Sequence, residues 1–203
     1  MPTHAFQQGD MLFTQLGNIS DNAIAAVTEG LSGALVNHVG VVVENKWGIF
    51  VLEAFPPEVR VTSLEVFLKR SWASPDAPRF LHLRLKPTYA DLLPPAIQYG
   101  LTQRNIPYDA RYLTDEAALY CSELVVDMFT SANGGLAFFI EKPMSFRDKL
   151  TGEILPAWIQ YHKIFGMEVP DGEPGSNPGD LSKDDKLVLV QAVGPLVGWR
   201  GTS

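Results

Sequence analysis

Residues 36–55 read VNHVGVVVENKWGIFVLEAF, and the fold turns on them. Val36 to Glu44 is rich in β-branched residues, Asn45 to Gly48 (NKWG) has turn chemistry, and Ile49 to Phe55 is a second apolar run. The stretch predicts a β-hairpin. With Asn45 to Gly48 as a four-residue connection, Glu44 pairs with Ile49, Gly40 stands opposite Glu53, and His38 stands opposite Phe55. His38 and Glu53 then share one face as diagonal neighbours, while Val39, Val41 and Val43 face the other way. A slip of one residue would separate the two. Glu53 is the only charged residue in IFVLEAF, and a buried carboxylate is costly unless paired, which makes His38 its natural partner. The alternative is a solvent-facing Glu at a sheet edge. Gly40, on the face of His38, leaves room beside the imidazole.

Outward from the hairpin, Met11 to Phe13 reads as a short buried strand behind Gly9-Asp10. Asp21 to Glu29 reads as a helix with Ser20 as N-cap and Gly30 as stop. Thr62-Ser63-Leu64-Glu65 has capping-box spacing, with Thr62 as cap of a helix running to about Trp72. Arg79 to Leu85 alternates as a strand, Asp91 to Gln103 reads as helix, and Asn105 to Leu119 as loop. A helix opens at Cys121 and closes at Asn133-Gly134-Gly135. Beyond it, Leu155 to Phe165 predicts a short helix, Asp171 to Asp180 a Gly/Pro loop, and Lys186 to Val190 a last strand. The expected architecture is α+β, an antiparallel sheet packed against helices, in one domain over residues 1–203.

Composition narrows the function. Apolar residues make up 46% of the 203 and charged residues 19%, a globular balance. The net charge of −7, with no run of Lys and Arg, argues against a nucleic-acid partner. The N-terminal MPTHAFQQGD has no basic start followed by an apolar stretch, and no run approaches the roughly 18 to 20 apolar residues of a membrane span, so a cytoplasmic location is expected. Cys121 is the only cysteine, which excludes an internal disulfide and a cysteine zinc cluster. No acidic loop suggests calcium and no His pair suggests zinc, so neither metal nor cofactor is expected.

A lone Cys is either an inert buried residue or a used thiol. In ALYCSELVVDMF, Leu124, Val125, Met128 and Phe129 form the apolar stripe of a helix, so Cys121 falls at its N-terminus. Unpaired backbone N–H groups there favour a thiolate and can cradle an oxyanion. Of four histidines, His4 lies in a terminal segment, His82 reads as an ordinary strand residue, and His162 sits in a weakly patterned tail. His38, backed by Glu53, is the candidate base, with the carboxylate fixing the imidazole tautomer. Glu123 suits the helix N-terminus by its charge, and Asn177 reads as part of a turn-rich connector.

Three motifs occur in order: GDMLF; NHVGVVVE with VLEA; and IPYD followed by YCSELV. Together they resemble the YiiX/YaeF-like branch of the NlpC-type superfamily, the permuted papain-like amidases, over roughly residues 8–130. The order His38 before Cys121 is the order of that permuted branch. The resemblance implies a circularly permuted papain-like fold and acyl transfer on Cys121, with His38 as base and Glu53 as orienting group. It also places Tyr108 of IPYD near the nucleophile and Tyr120 where many cell-wall relatives carry an Asp that binds a substrate amine. The expected activity is hydrolysis of an amide in a small peptide or N-acyl compound, with residues 136–203 as a lid or groove wall. Two other readings stay open: an acyltransferase or lipid esterase of the lecithin–retinol acyltransferase type, and a non-catalytic binding module on the same scaffold.

Overall fold

The computed structural model describes residues 6–17, 23–71, 77–114 and 117–201. His4, the proposed cap Ser20 and the proposed helix end at Trp72 lie outside these residues.

Six strands form one antiparallel sheet in the order β4-β3-β2-β1-β5-β8. They are β1 (Met11–Thr14), β2 (His38–Asn45), β3 (Gly48–Phe55), β4 (Glu58–Ser63), β5 (Phe80–Leu85) and β8 (Leu187–Val193). The hairpin takes the expected register: Glu44 pairs with Ile49 and Val41 with Leu52, so Gly40 stands opposite Glu53. Its turn is tighter than expected, because Asn45 pairs with Gly48 and only Lys46 and Trp47 are left to connect. Gly48 makes this possible with φ +132, a conformation closed to L side chains. The chain then folds back at once into β4, a strand the sequence reading missed, in which Glu53 pairs with Arg60.

Strand alternation sends side chains to two cores. On one face Met11, Phe13, Val39, Val41, Leu52 and Leu81 pack against α4 (Cys121–Ala132) and its neighbour α3 (Leu93–Thr102). On the other, Leu12, Val42, Val51 and Phe80 pack against Phe67 and Leu68 of α2 (Leu64–Lys69). Helix α2 is capped by Ser63, whose hydroxyl accepts from Val66 N at 3.3 Å; Thr62 belongs to β4 and is not the cap. The cap falls one residue later than expected, on Ser63, the residue type that caps better than Thr.

The Gly-Asp of GDMLF proves structural. Gly9 sits at φ +87 against Leu93, and Asp10 is buried, accepting from His82 Nε2 at 2.6 Å and from Arg84 Nε at 2.6 Å. His82 is therefore a core residue, its Nδ1 facing Gln191 Nε2 at 3.3 Å.

Besides 3-10 turns at Leu31–Gly33 and Pro87–Leu92, the remaining elements among the described residues are α1 (Ala23–Val27), the two-residue strands β6 (Lys142–Pro143) and β7 (Pro174–Gly175), α5 (Pro156–Lys163) and α6 (Pro178–Ser182). Asp171 to Asp180 is thus not all loop, because β7 and the start of α6 fall inside it. No helix among the described residues is long and apolar enough to cross a membrane.

Candidate active site

His38 opens β2 and Glu53 lies in the buried part of β3, and the hairpin register brings them together: His38 Nε2 lies 2.7 Å from Glu53 Oε2. Both are buried, at 3% and 0% exposure. Cys121, at the first position of α4, stands close enough to His38 to raise its pKa. With Nε2 engaged by the carboxylate, Nδ1 is the ring nitrogen left for the thiol. Burial disfavours the imidazolium, but the Cys121 thiol and Glu53 outweigh it and raise the His38 pKa to about 9. Glu53 moves the opposite way: against its burial, His38 and Arg70 lower its pKa to about 2.

The back of the pair is built by residues the sequence reading did not assign to it. Thr62 Oγ1 donates to Glu53 Oε1 at 2.6 Å, and Arg70 NH2 reaches Oε1 and Oε2 at 2.6 and 2.7 Å. The His38 ring packs between Phe55 and Phe67, with centroids 5.5 and 5.6 Å away. The room that Gly40 leaves beside the imidazole is taken up by the protein itself. A Cβ there would meet Val51, and would come within 2.8 Å of Phe67, so the missing side chain admits the ring that backs His38. Arg70 escaped notice because it belongs to a different element, 17 residues from Glu53. No periodicity links a helix C-terminus to a strand two elements earlier.

Cys121 lines a cavity of about 60 Å³. Its other walls include Ile24 and Val27 of α1, Tyr112, Met144, Phe146 and Trp158. No charged side chain is among the described lining residues. Tyr120 also lines it, and its hydroxyl accepts from Ser176 N at 3.0 Å, tying the tail to the residue beside Cys121. Asn177 lines it too, and caps α6 by accepting from Asp180 N at 2.7 Å.

Tyr108 is drawn into a chain of phenols. Tyr108, Tyr112 and Tyr161 are hydrogen-bonded in turn, and Tyr161 donates to Ala110 O at 2.8 Å. Each hydroxyl has one proton. With Tyr161 committed to the carbonyl, Tyr112 donates to Tyr161 and Tyr108 to Tyr112, so the Tyr108 oxygen is left as an acceptor. Burial, and the neighbouring Tyr112 and Cys121, push Tyr108 well above the ordinary phenol range. Asp109 shapes this loop: its carboxylate accepts from Arg111 N at 2.8 Å and Leu113 N at 2.6 Å, while Tyr112 between them takes φ +58. His162 anchors the tail to the same loop, with Nδ1 3.1 Å from Trp158 O and Nε2 3.2 Å from Arg111 O.

Glu123 does not act as a surface anion at the helix start. It is 5% exposed and accepts from Tyr120 N at 3.2 Å. Burial, then its acidic neighbours Asp127, Asp109 and Glu141, raise its pKa to about 9, so it is a neutral cap at pH 7. Among the described residues, no three His, Cys, Asp or Glu side chains gather as a set that could hold a metal ion.

A family model described as permuted papain-like amidase enzyme, YaeF/YiiX, C92 family, matches residues 5–191. Among solved structures, the crystal structure of metalloprotein yiiX from Escherichia coli O157:H7 is similar in fold, with a TM-score of 0.74. That similarity covers 93% of this chain and 98% of that one at 19% sequence identity. No curated protein matches the chain.

Proposed function

The chain belongs to the permuted papain-like amidase family, and from that premise we propose that it is a cysteine hydrolase acting on an amide of a small peptide or N-acyl compound. The observation that carries this reading is His38 standing between the Cys121 thiol and the Glu53 carboxylate. Cys121 Sγ, its proton passed to His38, attacks the carbonyl carbon. The first backbone N–H groups of α4 lack intrahelical partners and face the developing oxyanion. His38 returns the proton to the leaving nitrogen as the C–N bond breaks, leaving a thioester on Cys121. Water, deprotonated by His38, then adds to the thioester carbon, and the acid leaves as the thiol re-forms. Glu53 keeps Nδ1 facing sulfur throughout and offsets the imidazolium charge.

The lining supports an uncharged, largely apolar acyl half, because no carboxylate stands among the described residues of the cavity wall to meet a free amine. Tyr120 in place of an acidic residue supports the same choice. The tail serves as one wall of the groove, through Met144, Phe146 and Trp158.

Two measurements test the proposal. Cys121→Ala should abolish hydrolysis of N-acyl anilides. Iodoacetamide should alkylate Cys121 at pH 6.5 at least about tenfold faster in the wild type than in His38→Ala, as expected of a base-activated thiol. Equal, slow alkylation in both proteins would defeat the hydrolase reading and leave a binding module on a papain-like scaffold.

A further inference from the structure

Glu53 receives more than a lone orienting carboxylate needs. Its Oε2 meets His38 Nε2 at 2.7 Å and Arg70 NH2 at 2.7 Å, and its Oε1 meets Thr62 Oγ1 at 2.6 Å and Arg70 NH2 at 2.6 Å. Arg70 in turn has little else to do. Its guanidinium lies 4.0 Å from the Phe55 ring centroid and 5.4 Å from that of Phe67, and its buried Nε and NH1 have no hydrogen-bond partner among the described residues. A guanidinium that leaves donors unsatisfied is a poor stabiliser, since desolvation offsets much of the attraction to its carboxylate. Its charge, placed across Glu53 from His38, has a different consequence.

We infer that Arg70 is a positioning residue of the catalytic pair, fixing Glu53 as a carboxylate aimed at His38 and limiting how firmly that carboxylate holds the imidazolium. The inference rests on the reading of Cys121 and His38 as the reacting pair. Among the described residues, the charged or titratable groups facing His38 or its immediate partners are Glu53 from β3, Cys121 from α4, Arg70 from the end of α2, and Arg60 of β4, whose guanidinium lies 5.1 Å from the Phe55 ring. Phe55 and Phe67 fill the rest of its surroundings with neutral rings. Within this set Arg70 is the cation bonded to the carboxylate that binds His38. It draws on the negative charge that would otherwise act on the imidazole alone, which makes it easier for the imidazolium to give its proton back.

The test follows the His38 ring protons by NMR through pH in the full chain, beside iodoacetamide alkylation of Cys121. In Arg70→Gln, which removes the charge and keeps a donor, the His38 titration should move up by about one pH unit. Arg70→Lys should bring it back toward wild type. Thr62→Val, which removes a donor but no charge, should leave it nearly in place. If Arg70→Gln does not fold, Arg70→Met keeps the stem on Phe55 and carries the same readout. A folded Gln or Met variant whose His38 titrates as in wild type would overturn the assignment and make Arg70 a structural residue. The underlying pair is judged separately: alkylation insensitive to His38→Ala would overturn the Cys–His reading, whatever the Arg70 variants do.

Discussion

At the scale of single residues, the chain holds two buried groups of the same chemistry. Asp10 with His82 and Arg84 repeats the carboxylate, imidazole and guanidinium of Glu53 with His38 and Arg70. Their other neighbours distinguish them, since His82 Nδ1 faces the Gln191 amide while His38 stands by Cys121, which raises its pKa. Composition cannot separate the two, and the sequence singled out His38 only through register and the helix start at Cys121. Glu53 was legible because one charge in IFVLEAF must be paired if buried. Its guanidinium partner was not, because the arginine arrives from another element. Glu53→Gln would strand Arg70 in a largely buried site, and should cost about 3 to 5 kcal/mol in urea unfolding at pH 7. The native Glu53 pKa of about 2 lies below its ordinary value of 4.5, so its contribution is present above pH 4.5 and lost as pH falls toward 2. The gap between wild type and Glu53→Gln should therefore narrow over that window. A gap constant with pH would show that the charge of Glu53 is not what stabilises the fold.

At the scale of elements, α2 and α4 approach the hairpin from opposite faces, and small details of the chain set how closely. Gly40 reads in the sequence as room beside the imidazole, and the structure fills that room with Phe67. A glycine on a strand tells only that something comes near, and the occupant, here a helix ring, is a tertiary fact. Gly40→Ala should push Phe67 away from His38, costing about 1 to 3 kcal/mol in thermal or urea unfolding and slowing Cys121 alkylation. Unchanged stability and reactivity would show that Phe67 yields freely. Glu123 illustrates the same limit. Its spacing identified a helix start, but burial, invisible in the sequence, makes it a neutral acceptor for Tyr120 N–H, with no negative charge beside the thiol. Its folded pKa of about 9 lies above the ordinary 4.5, so its stabilising effect is complete below pH 4.5 and fades as pH rises through 9. Glu123→Gln keeps the acceptor and removes the titration. Wild type should lose stability relative to this variant between about pH 5 and 9, and parallel pH–stability curves would contradict the neutral cap.

At the scale of the molecule, the tail after Gly135 explains why the cavity exists. Strand β8 closes the sheet beside β5, and Val197 then returns to Gln15 and Leu35 near the start of the chain. Between Gly135 and β8, the tail contributes Met144, Phe146 and Trp158 to the cavity lining and is held by Tyr120 to Ser176, His162 to Arg111, and Trp158 Nε1 to Ala23 O at 3.2 Å. The sequence reading found α5 and β8 in outline, but not this placement of the tail, because its anchors pair residues 51 to 135 apart with no local pattern. Trp158 is the pivot: its ring packs edge-on against Tyr112 and Phe146, and its indole closes the gap to α1. If the tail sets access to Cys121, which is only 5% exposed, small iodoacetamide should reach the wild-type thiol far more readily than a bulky fluorescein maleimide. Trp158→Ala removes one wall, so the rate ratio between the two reagents should fall by about tenfold, corresponding to roughly 1.4 kcal/mol of steric discrimination. Because a buried Trp→Ala change also costs about 3 to 5 kcal/mol of stability, the rates must be read well below the unfolding temperature. A ratio that stays at its wild-type value in folded Trp158→Ala would mean that access to the thiol is governed by α1 and the Tyr112 loop, with the tail serving only to complete the core.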